Sequence, residues 1–298
     1  MRADDWHLTH DADGFLGRTG AFLRARPVRH LVTLSALQRL REREAAASGA
    51  PAPAAGTRGP VFGWVERAGE IGGTFYHLPS GGIGLTPLSP ARADALAARL
   101  AGLGHALPYV SADRDTAAAF AKAWRRHAGV EAAVRVRLCL YRLGELTPRR
   151  PVPAGRGRPV GERGGDRDRL MDWCREFAAD VGEEVAIDAD TWAGTRFARK
   201  RYTFWESPDG VPVSMAGVNP MLAGVAQVDP VYTPARLRGR GYAGAVTVEV
   251  SRAALAAGAE SVVLFTNAAN ATSNALYQRL GYVRVTDWAV YDFTQLLP

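Results

Sequence analysis

Hydrophobic and polar residues recur along the chain with two different periods, and together these periods predict an α/β protein. The clearest helical period covers 241–257, where Ala245, Val248 and Leu255 follow one another at steps compatible with one helix face. Shorter runs that alternate apolar and polar residues predict strands. Asp209-Gly210 lies between two such runs and predicts a hairpin turn.

Applied to the whole chain, the pattern predicts helices and strands in both halves. The predicted helices cover 11–25, 28–45, 89–103, 114–128, 166–181, 188–200, 241–257 and 271–280. The predicted strands cover 60–67, 72–78, 82–87, 106–110, 132–143, 202–206, 212–218, 223–232, 261–267, 282–286 and 288–293.

Two stretches rich in small residues and proline interrupt these elements. The stretch 44–59 is predicted to be a loop within the first half, and 147–158 is predicted to be an extended interdomain linker. The expected domains are therefore 1–146 and 159–298. The halves share a helix, glycine and strand order when Gly129 is aligned with Gly281, which indicates a weak internal repeat or a chance similarity between α/β segments.

The composition narrows the classes of function. The 298-residue chain is 47% hydrophobic and carries a formal charge of +7, and Lys122 and Lys200 are its only lysines. No basic run is interleaved with aromatic residues, so we expect no nucleic-acid partner, and a phosphorylated cofactor is the simpler anionic ligand.

The cysteines, histidines and apolar residues argue against a metal-binding, redox, secreted or membrane protein. Cys139 and Cys174 lack metal or redox spacing and are expected to be buried thiols, so no metal is predicted. His7 and His10 lack nearby ligands and are expected to be surface residues. The chain shows no signal-peptide pattern and no apolar run of about 18 residues, so we expect a cytoplasmic protein without membrane contact. The sequence does not predict the oligomeric state.

The stretch RLRGRGYAGAV, 236–246, has the character of a phosphate-binding loop and fits two signatures. Gly239, Gly241 and Gly244 form the G-x-G-x-x-G of dinucleotide-binding proteins, whereas R-x-x-G-x-A, starting at Arg238, is typical of acetyl-CoA-dependent transferases. Both place a glycine turn between a strand and a helix, where free N–H groups and the helix dipole attract phosphate.

The dinucleotide interpretation lacks the acidic residue that it needs. A carboxylate at the end of the next strand should bind the ribose hydroxyls. Here Glu260 precedes that strand and Asn267 ends it. The transferase interpretation fits better, because Arg236, Arg238 and Arg240 surround the loop and can meet phosphates. Pro230 and Pro234 should also make the preceding strand bulge or splay.

With these motifs in order, the region from about 200 to 293 resembles the GNAT superfamily of N-acetyltransferases, and the resemblance extends back to 158. VYTPARLRGRGYAGAV is similar to the family's strand, loop and helix signature, and NATSNALYQRLGY is similar to its second motif. The expected fold is a pair of GNAT-like α+β domains, each a mixed, mostly antiparallel sheet flanked by helices. The first copy is expected to be degenerate, because LTPLSPARADALAARL lacks paired glycines and Arg125 takes the position of Tyr277.

The resemblance assigns roles to individual residues. Tyr277 would donate a proton to the sulfur of coenzyme A, and its alternative is a tyrosine packed in the core. Asn270 and Ser273 would support the cofactor, and Asn270 is also a candidate helix N-cap. The acetyl group and pantetheine arm would be held by the strand residues Val231, Tyr232 and Thr233. The pyrophosphate would be held by the loop residues Arg238, Gly239, Arg240, Gly241, Tyr242 and Ala243.

The motifs do not specify which residue is the general base or which residues bind the acceptor. Gln227 and Asp229 share one face of the strand, and only Asp229 can act as the base, directly or through water, or orient a substrate ammonium. Glu206 and Asp287 are weaker candidates with solvated strand ends as their alternative. The aromatic residues Tyr202, Phe204 and Trp205 are expected to pack within the strand or to line an acceptor pocket.

The resemblance implies acetyl transfer from acetyl-CoA to a primary amine of a small molecule, by direct attack in a ternary complex. A protein N-terminus or lysine as acceptor, and an acyl-CoA sensor without turnover, stay open as alternatives. A longer acyl donor could use the same loop.

Overall fold

A computed structural model describes residues 6–46, 59–79, 81–148, 150–161 and 164–295, and the chain divides into two compact units. Unit 1 contains the described residues up to Leu140, together with 267–269 and 285–295. Unit 2 contains 141–266 and 270–284. The chain therefore returns to unit 1 after completing most of unit 2.

Unit 1 combines a mostly antiparallel sheet with helices. Its helices are α1 (Ala12–Ala25), α2 (Leu31–Ala46), α3 (Pro90–Gly102) and α4 (Arg114–Ala128). Its strands are β1 (Trp6–Thr9), β2 (Val61–Arg67), β3 (Glu70–His77), β4 (Ile83–Leu85), β5 (Tyr109–Asp113) and most of β6 (Val130–Leu143). The first five strands lie side by side in chain order, and only β4 and β5 run parallel among these neighbours.

The helices α3 and α4 of unit 1 bury an apolar face. Leu96 and Leu100 of α3 and Phe120 and Trp124 of α4 are at most 1% exposed, at the spacings that place them on one side of each helix. This core packs with Phe75 and Val110 of the sheet.

Unit 2 has the same character and contains the two motifs. Its strands are β7 (Arg156–Pro159), β8 (Arg201–Glu206), β9 (Pro212–Val218), β10 (Val225–Tyr232) and β11 (Ser261–Asn267), and its helices are α5 (Asp166–Asp180), α6 (Tyr242–Ala256) and α7 (Ala271–Arg279). The spatial order is β11-β10-β9-β8-β7, with β10 and β11 parallel and the other neighbours antiparallel. Both units confirm the predicted architecture of mostly antiparallel sheets with flanking helices.

An ion-paired arginine attaches β7 and the start of α5 to the sheet of unit 2. The Arg158 guanidinium donates to both oxygens of Asp166, at 2.7 and 2.9 Å, and to Glu206 at 2.5 Å. All three side chains are nearly buried. Arg156–Arg158, predicted to end the linker, therefore belong to a strand.

Several predicted boundaries differ from the structure. The predicted helix over 188–200 is wrong, because the Asp188 carboxylate accepts from the backbone N–H groups of Asp190 and Thr191 and forms a turn, followed by a 3-10 turn at Trp192–Gly194. The strand predicted at 106–110 lies at β5 instead. Strand β1 was not predicted, and the loop predicted over 44–59 begins inside α2, while 47–58 lie outside the described residues.

The two predicted closing strands form one strand, β12 (Tyr282–Gln295). Residues Trp288–Asp292 of β12 pair antiparallel with β5. The C-terminal part of the chain therefore completes the sheet of unit 1, whereas the sequence assigned all of 159–298 to one domain. Among the described residues, no helix combines the length and apolar character that crossing a membrane requires.

Candidate active site

Strand β10 contains a β-bulge at Pro230, one of the two prolines from which a bulge was predicted. Val228 pairs with Val218 of β9 and Val231 pairs with Ala216, so two β10 residues, Asp229 and Pro230, lie opposite one residue of β9. That residue is Gly217, where a Cβ would come within 2.7 Å of the Asp229 carbonyl oxygen. The predicted bulge is confirmed, and pairing with β9 resumes beyond it at Val231 and Tyr232.

On its other edge, β10 separates from β11. Their parallel ladder joins Val225 to Ser261, Ala226 to Val262 and Gln227 to Val263. Both strands then continue, β10 to Tyr232 and β11 to Asn267. A slot thus opens beside Val231 and Tyr232, whose backbone groups lie at its wall.

The glycine loop places the start of α6 next to this slot. Gly239 and Gly241 have φ values of +80° and +85°, which favour glycine, and Gly241 is the N-cap of α6 without a side-chain cap. The first N–H groups of a helix have no intrahelical partner, and no side chain caps them here. This end of α6 therefore offers free donors and the positive end of the helix dipole to an anion.

The side chain of Arg238 stabilises the glycine loop by contacting other parts of the protein. Its Nε donates to the Thr233 carbonyl at 2.9 Å, and its guanidinium also pairs with Asp180 of α5. Its side chain is therefore committed to protein groups, whereas Arg236 and Arg240 are exposed, with no acidic partner among the described residues.

Tyr277 lies on α7 with its side chain buried. It is 8% exposed, and its ring meets the Tyr282 ring edge to face at 5.9 Å. Burial raises the pKa of Tyr277, and the charge of Asp229 adds to the rise. The phenol is therefore protonated at neutral pH.

Asp229 is surrounded by cations that the sequence motifs did not indicate. Its carboxylate pairs with Lys200, whose side chain is 3% exposed, and with Arg196 at 2.6 Å. Burial alone would raise the pKa of Asp229, but Lys200 and Arg196 outweigh burial and hold that pKa below its usual value. The carboxylate is consequently ionised and weakly basic.

Gln227 and Asp229 are both half-buried on β10, as the alternation predicted, and Val231 is half-buried as well. The Gln227 carboxamide pairs with Asn219 at 3.0 Å. Arg196 also binds Glu183 with two hydrogen bonds, which ties the segment after α5 to β10. The ion pairs join residues about 30 positions apart in the chain, and local patterns carry no signal for them.

Helix α7 begins at the asparagine of the second motif, Asn270, which is its N-cap. The Asn270 side chain caps the helix by accepting from the Ser273 N–H at 3.0 Å, so the alternative N-cap role is confirmed. The Asn274 carboxamide accepts a hydrogen bond of 3.0 Å from the Tyr141 hydroxyl. Asn270 is exposed, so its remaining hydrogen-bonding capacity faces outward.

Most of the weaker candidates have structural roles. Tyr202, Phe204 and Trp205 are buried in the core, and Glu206 is buried beside Arg158 instead of forming a solvated strand end. Asp287 pairs with Arg114 within unit 1. The predicted burial of the cysteines and exposure of the histidines are confirmed, because Cys139 and Cys174 are buried and His7 and His10 are exposed.

In unit 1, the segment that corresponds to the glycine loop precedes α3, and its backbone groups are bound by protein side chains. The Thr116 hydroxyl accepts from the Leu88 N–H at 2.9 Å, beside the end of β4. Ser89 caps α3, and Pro90 removes one N–H group from its first turn. Arg125, at the position aligned with Tyr277, is exposed and pairs with Glu131 at 2.9 Å. Unit 1 thus lacks the free helix end found in unit 2.

The family comparison agrees with this geometry. Residues 167–282, which include the β10 bulge, the glycine loop and Tyr277, match the model of the Acetyltransferase (GNAT) family. Residues 167–282 are thus similar to GNAT domains. Among curated proteins, none matches the sequence significantly.

Solved structures extend the similarity in fold to the whole chain. A Drosophila protein covers 97% of this chain and 98% of its own, at 13% identity and a TM-score of 0.60. A tandem GNAT protein from the clavulanic acid biosynthesis pathway covers 99% of both chains, at 12% identity and a TM-score of 0.53. A GCN5-related N-acetyltransferase from Sphaerobacter thermophilus covers 86% of both, at 16% and 0.53. The tandem GNAT fold predicted from sequence is confirmed.

Proposed function

We propose that this protein transfers an acetyl group from acetyl-CoA to a primary amine of a small molecule, by direct attack in a ternary complex. The observation that carries the proposal is the uncapped start of α6 beside the slot between β10 and β11. Acetyl-CoA supplies the acetyl group as an activated thioester. The free N–H groups of Gly239–Ala243 suit its pyrophosphate.

The slot would bind the reacting end of the cofactor, which is the pantetheine arm with its acetyl group. Val231, Tyr232 and Thr233 follow the bulge, where the ladder with β11 has ended. The carbonyls of Tyr232 and Thr233 are bound by Ser214 and Arg238, and the other backbone groups on the β11 side of this segment are available to the pantetheine amides and the acetyl oxygen. Thr233 is held by Ser214, whose hydroxyl lies 2.8 Å from the Thr233 hydroxyl and also donates to the Tyr232 carbonyl. These contacts fix the wall of the slot in advance.

Tyr277 is the proposed acid. It would give its proton to the departing thiolate as the amine nitrogen bonds to the acetyl carbon and the carbon–sulfur bond breaks. Its raised pKa keeps the proton available at neutral pH. Asn270 and Ser273 would support the cofactor from the start of the same helix.

Asp229 is proposed to orient the acceptor rather than to take its proton. Two cations stabilise its ionised form, which lowers its tendency to accept a proton. An ionised carboxylate on the slot face of β10 can still attract an incoming ammonium group. Proton loss from the amine would then proceed to water.

The experiment that tests the function is an assay of free thiol release. Purified protein is incubated with acetyl-CoA and a panel of small amines, lysine peptides and free protein N-termini. Release of thiol with a small amine supports the proposal, and release only with peptides favours a protein acetyltransferase. Saturable CoA binding without thiol release from any acceptor would make the protein an acyl-CoA sensor and contradict transfer.

A further inference from the structure

Helix α7, which carries the proposed acid Tyr277, is short and has few buried anchors. The structure describes all nine of its residues, and among them only Tyr277 is buried. A helix of this length is not stable by itself in water, so its position depends on the contacts that the rest of the protein makes with it. The position of the Tyr277 phenol therefore follows the position of the helix.

A buried hydroxyl at the end of β6 binds α7 at two successive turns. Tyr141 is 1% exposed, and its hydroxyl donates to the Asn274 carboxamide at 3.0 Å and accepts from the Gln278 carboxamide at 3.1 Å. Asn274 and Gln278 lie one helical turn apart, on either side of Tyr277 along the chain. Asn274 also donates to the carbonyl of the N-cap Asn270 at 2.7 Å, so the network reaches the start of the helix. All these residues belong to unit 2.

The backbone that follows β6 binds the other end of α7. The Gly144 N–H donates to the Gly281 carbonyl at 2.9 Å, and the Thr147 N–H donates to the Leu280 carbonyl at 3.0 Å. A Cβ at Gly281 would clash with the Glu145 carbonyl oxygen, so the two segments are in direct contact. The sequence assigned the segment after β6 to the first domain and the linker, but this segment contacts the helix that contains the second motif.

Unit 1 keeps the packing of this arrangement and lacks its hydroxyl. The internal repeat aligns Tyr141 with Phe293 of β12. The Phe293 ring packs against Trp124 of α4 within unit 1, with ring centroids 6.1 Å apart. Phenylalanine is therefore sufficient for packing at this position, and the hydroxyl occurs in the unit whose helix carries the proposed acid.

We infer that Tyr141 is a positioning residue for the proposed acid: its two hydrogen bonds to α7 set where the helix presents the Tyr277 phenol. The inference rests on the proposed function, since Tyr277 is a proton donor only in that reaction. The proton moves from Tyr277 to the departing thiolate, and Tyr141 takes no part in that transfer. Because a misplacement of about 1 Å can cost about 100-fold in rate, loss of the Tyr141 hydroxyl should be visible in turnover.

The test removes the hydroxyl and keeps the ring, in Tyr141→Phe of the full chain. We expect thiol release at saturating acceptor to slow by about tenfold, because the Tyr277 phenol is displaced, with CoA affinity changed less than about twofold. The double variant Tyr141→Phe with Tyr277→Phe should be no slower than Tyr277→Phe alone, because a residue that acts only through Tyr277 then has nothing to position. Multiplied losses in the double variant, or unchanged turnover in Tyr141→Phe, would overturn the inference and leave the proposed function intact.

Thr86→Val is the matched control for an effect of stability. The Thr86 hydroxyl of unit 1 is also buried, accepts from the Thr74 N–H at 2.7 Å and donates to the Thr74 carbonyl at 3.3 Å. Its removal should lower the Tm, as Tyr141→Phe does, without slowing turnover. A similar loss of turnover in both variants would show a general effect of stability and contradict the inference.

A second readout does not depend on turnover. The chain contains nine tyrosines, so labelling tyrosine with ¹³C at the ring carbon that bears the hydroxyl gives nine signals in an NMR spectrum. Tyr277→Phe identifies the Tyr277 signal, and Tyr141→Phe should shift or broaden that signal while the tyrosines of unit 1 are unchanged. An unaltered Tyr277 signal would overturn the inference. Absence of thiol release from any acceptor in the wild type would overturn the proposed function, and the role of Tyr141 with it.

Discussion

At the scale of single residues, Tyr277 combines a buried ring with a hydroxyl that no described protein group binds. Replacing it by phenylalanine keeps the packing against Tyr282 and removes the proton donor. We expect turnover to fall by about 100-fold, the lower range for general acid catalysis, with CoA affinity changed less than twofold. Thiol release at saturating acceptor and calorimetric titration measure the two quantities. Unchanged turnover across pH would remove Tyr277 from the chemistry.

Asp229 is expected to matter for both stability and acceptor binding. Asp229→Asn leaves Lys200 buried beside a neutral group, which should destabilise unit 2 by about 3 kcal/mol. The KM for the amine should rise more than kcat falls, because the residue orients the acceptor. Urea unfolding and steady-state kinetics measure these effects.

The double variant Asp229→Asn with Lys200→Met separates the two roles. It removes the uncompensated charge and should restore most of the stability, while the KM stays high. A fall in kcat alone, with a shifted pH profile and normal KM, would instead make Asp229 the general base.

His30 of unit 1 gives a pH dependence with a definite sign. It is 3% exposed, and burial lowers its pKa, although the Leu23 carbonyl at 3.1 Å acts in the opposite direction. The unfolded chain takes up a proton below about pH 6.5, whereas the folded chain resists it, so stability falls as the pH decreases through that value.

Replacing His30 by glutamine should therefore reduce the acid sensitivity of unit 1. We expect the Tm difference between wild type and His30→Gln to be smaller at pH 5.5 than at pH 7.5, in thermal unfolding followed by circular dichroism. A constant difference would show that His30 does not contribute to the pH dependence.

At the scale of elements, the start of α6 is the central feature, and Gly241 tests it. Gly241→Glu places a carboxylate at the position proposed for the pyrophosphate, and CoA binding should be lost. Gly241→Gln is the control, since it introduces the same strain at a φ of +85° without the charge. Glutamine should retain measurable affinity, so equal behaviour of the two variants would exclude an electrostatic explanation.

The elements also show what the sequence could predict. The glycine loop, the bulge of β10 and the cap of α7 were predictable because each depends on neighbouring residues: Gly239 and Gly241, Pro230, and Asn270 with Ser273. The turn at Asp188 was missed because a side-chain hydrogen bond competes with the helical pattern.

Features that depend on distant residues were not predictable. The pairing of Asp229 with Arg196 and Lys200 and the pairing of β12 with β5 both join separate parts of the chain. A single sequence shows none of these, because the periodicity of an element identifies its buried face and not its partner.

At the scale of the whole molecule, the two units share a fold and differ at the end of the helix that would bind the pyrophosphate. Unit 1 has Ser89 as the cap of α3 and Thr116 bound to Leu88, whereas α6 of unit 2 has no side-chain cap. We therefore expect one CoA per chain. Calorimetric titration should give a stoichiometry near one, and a value near two would show that unit 1 also binds.

The most direct test of the central claim is hydrogen–deuterium exchange of the intact protein with and without CoA. Binding at the uncapped start of α6 predicts slower exchange in the segments 231–233 and 238–244, whose N–H groups would bind the cofactor. The corresponding segment of unit 1, 86–93, should be unchanged. Unaltered exchange in 238–244 at saturating CoA, or protection confined to unit 1, would contradict the account.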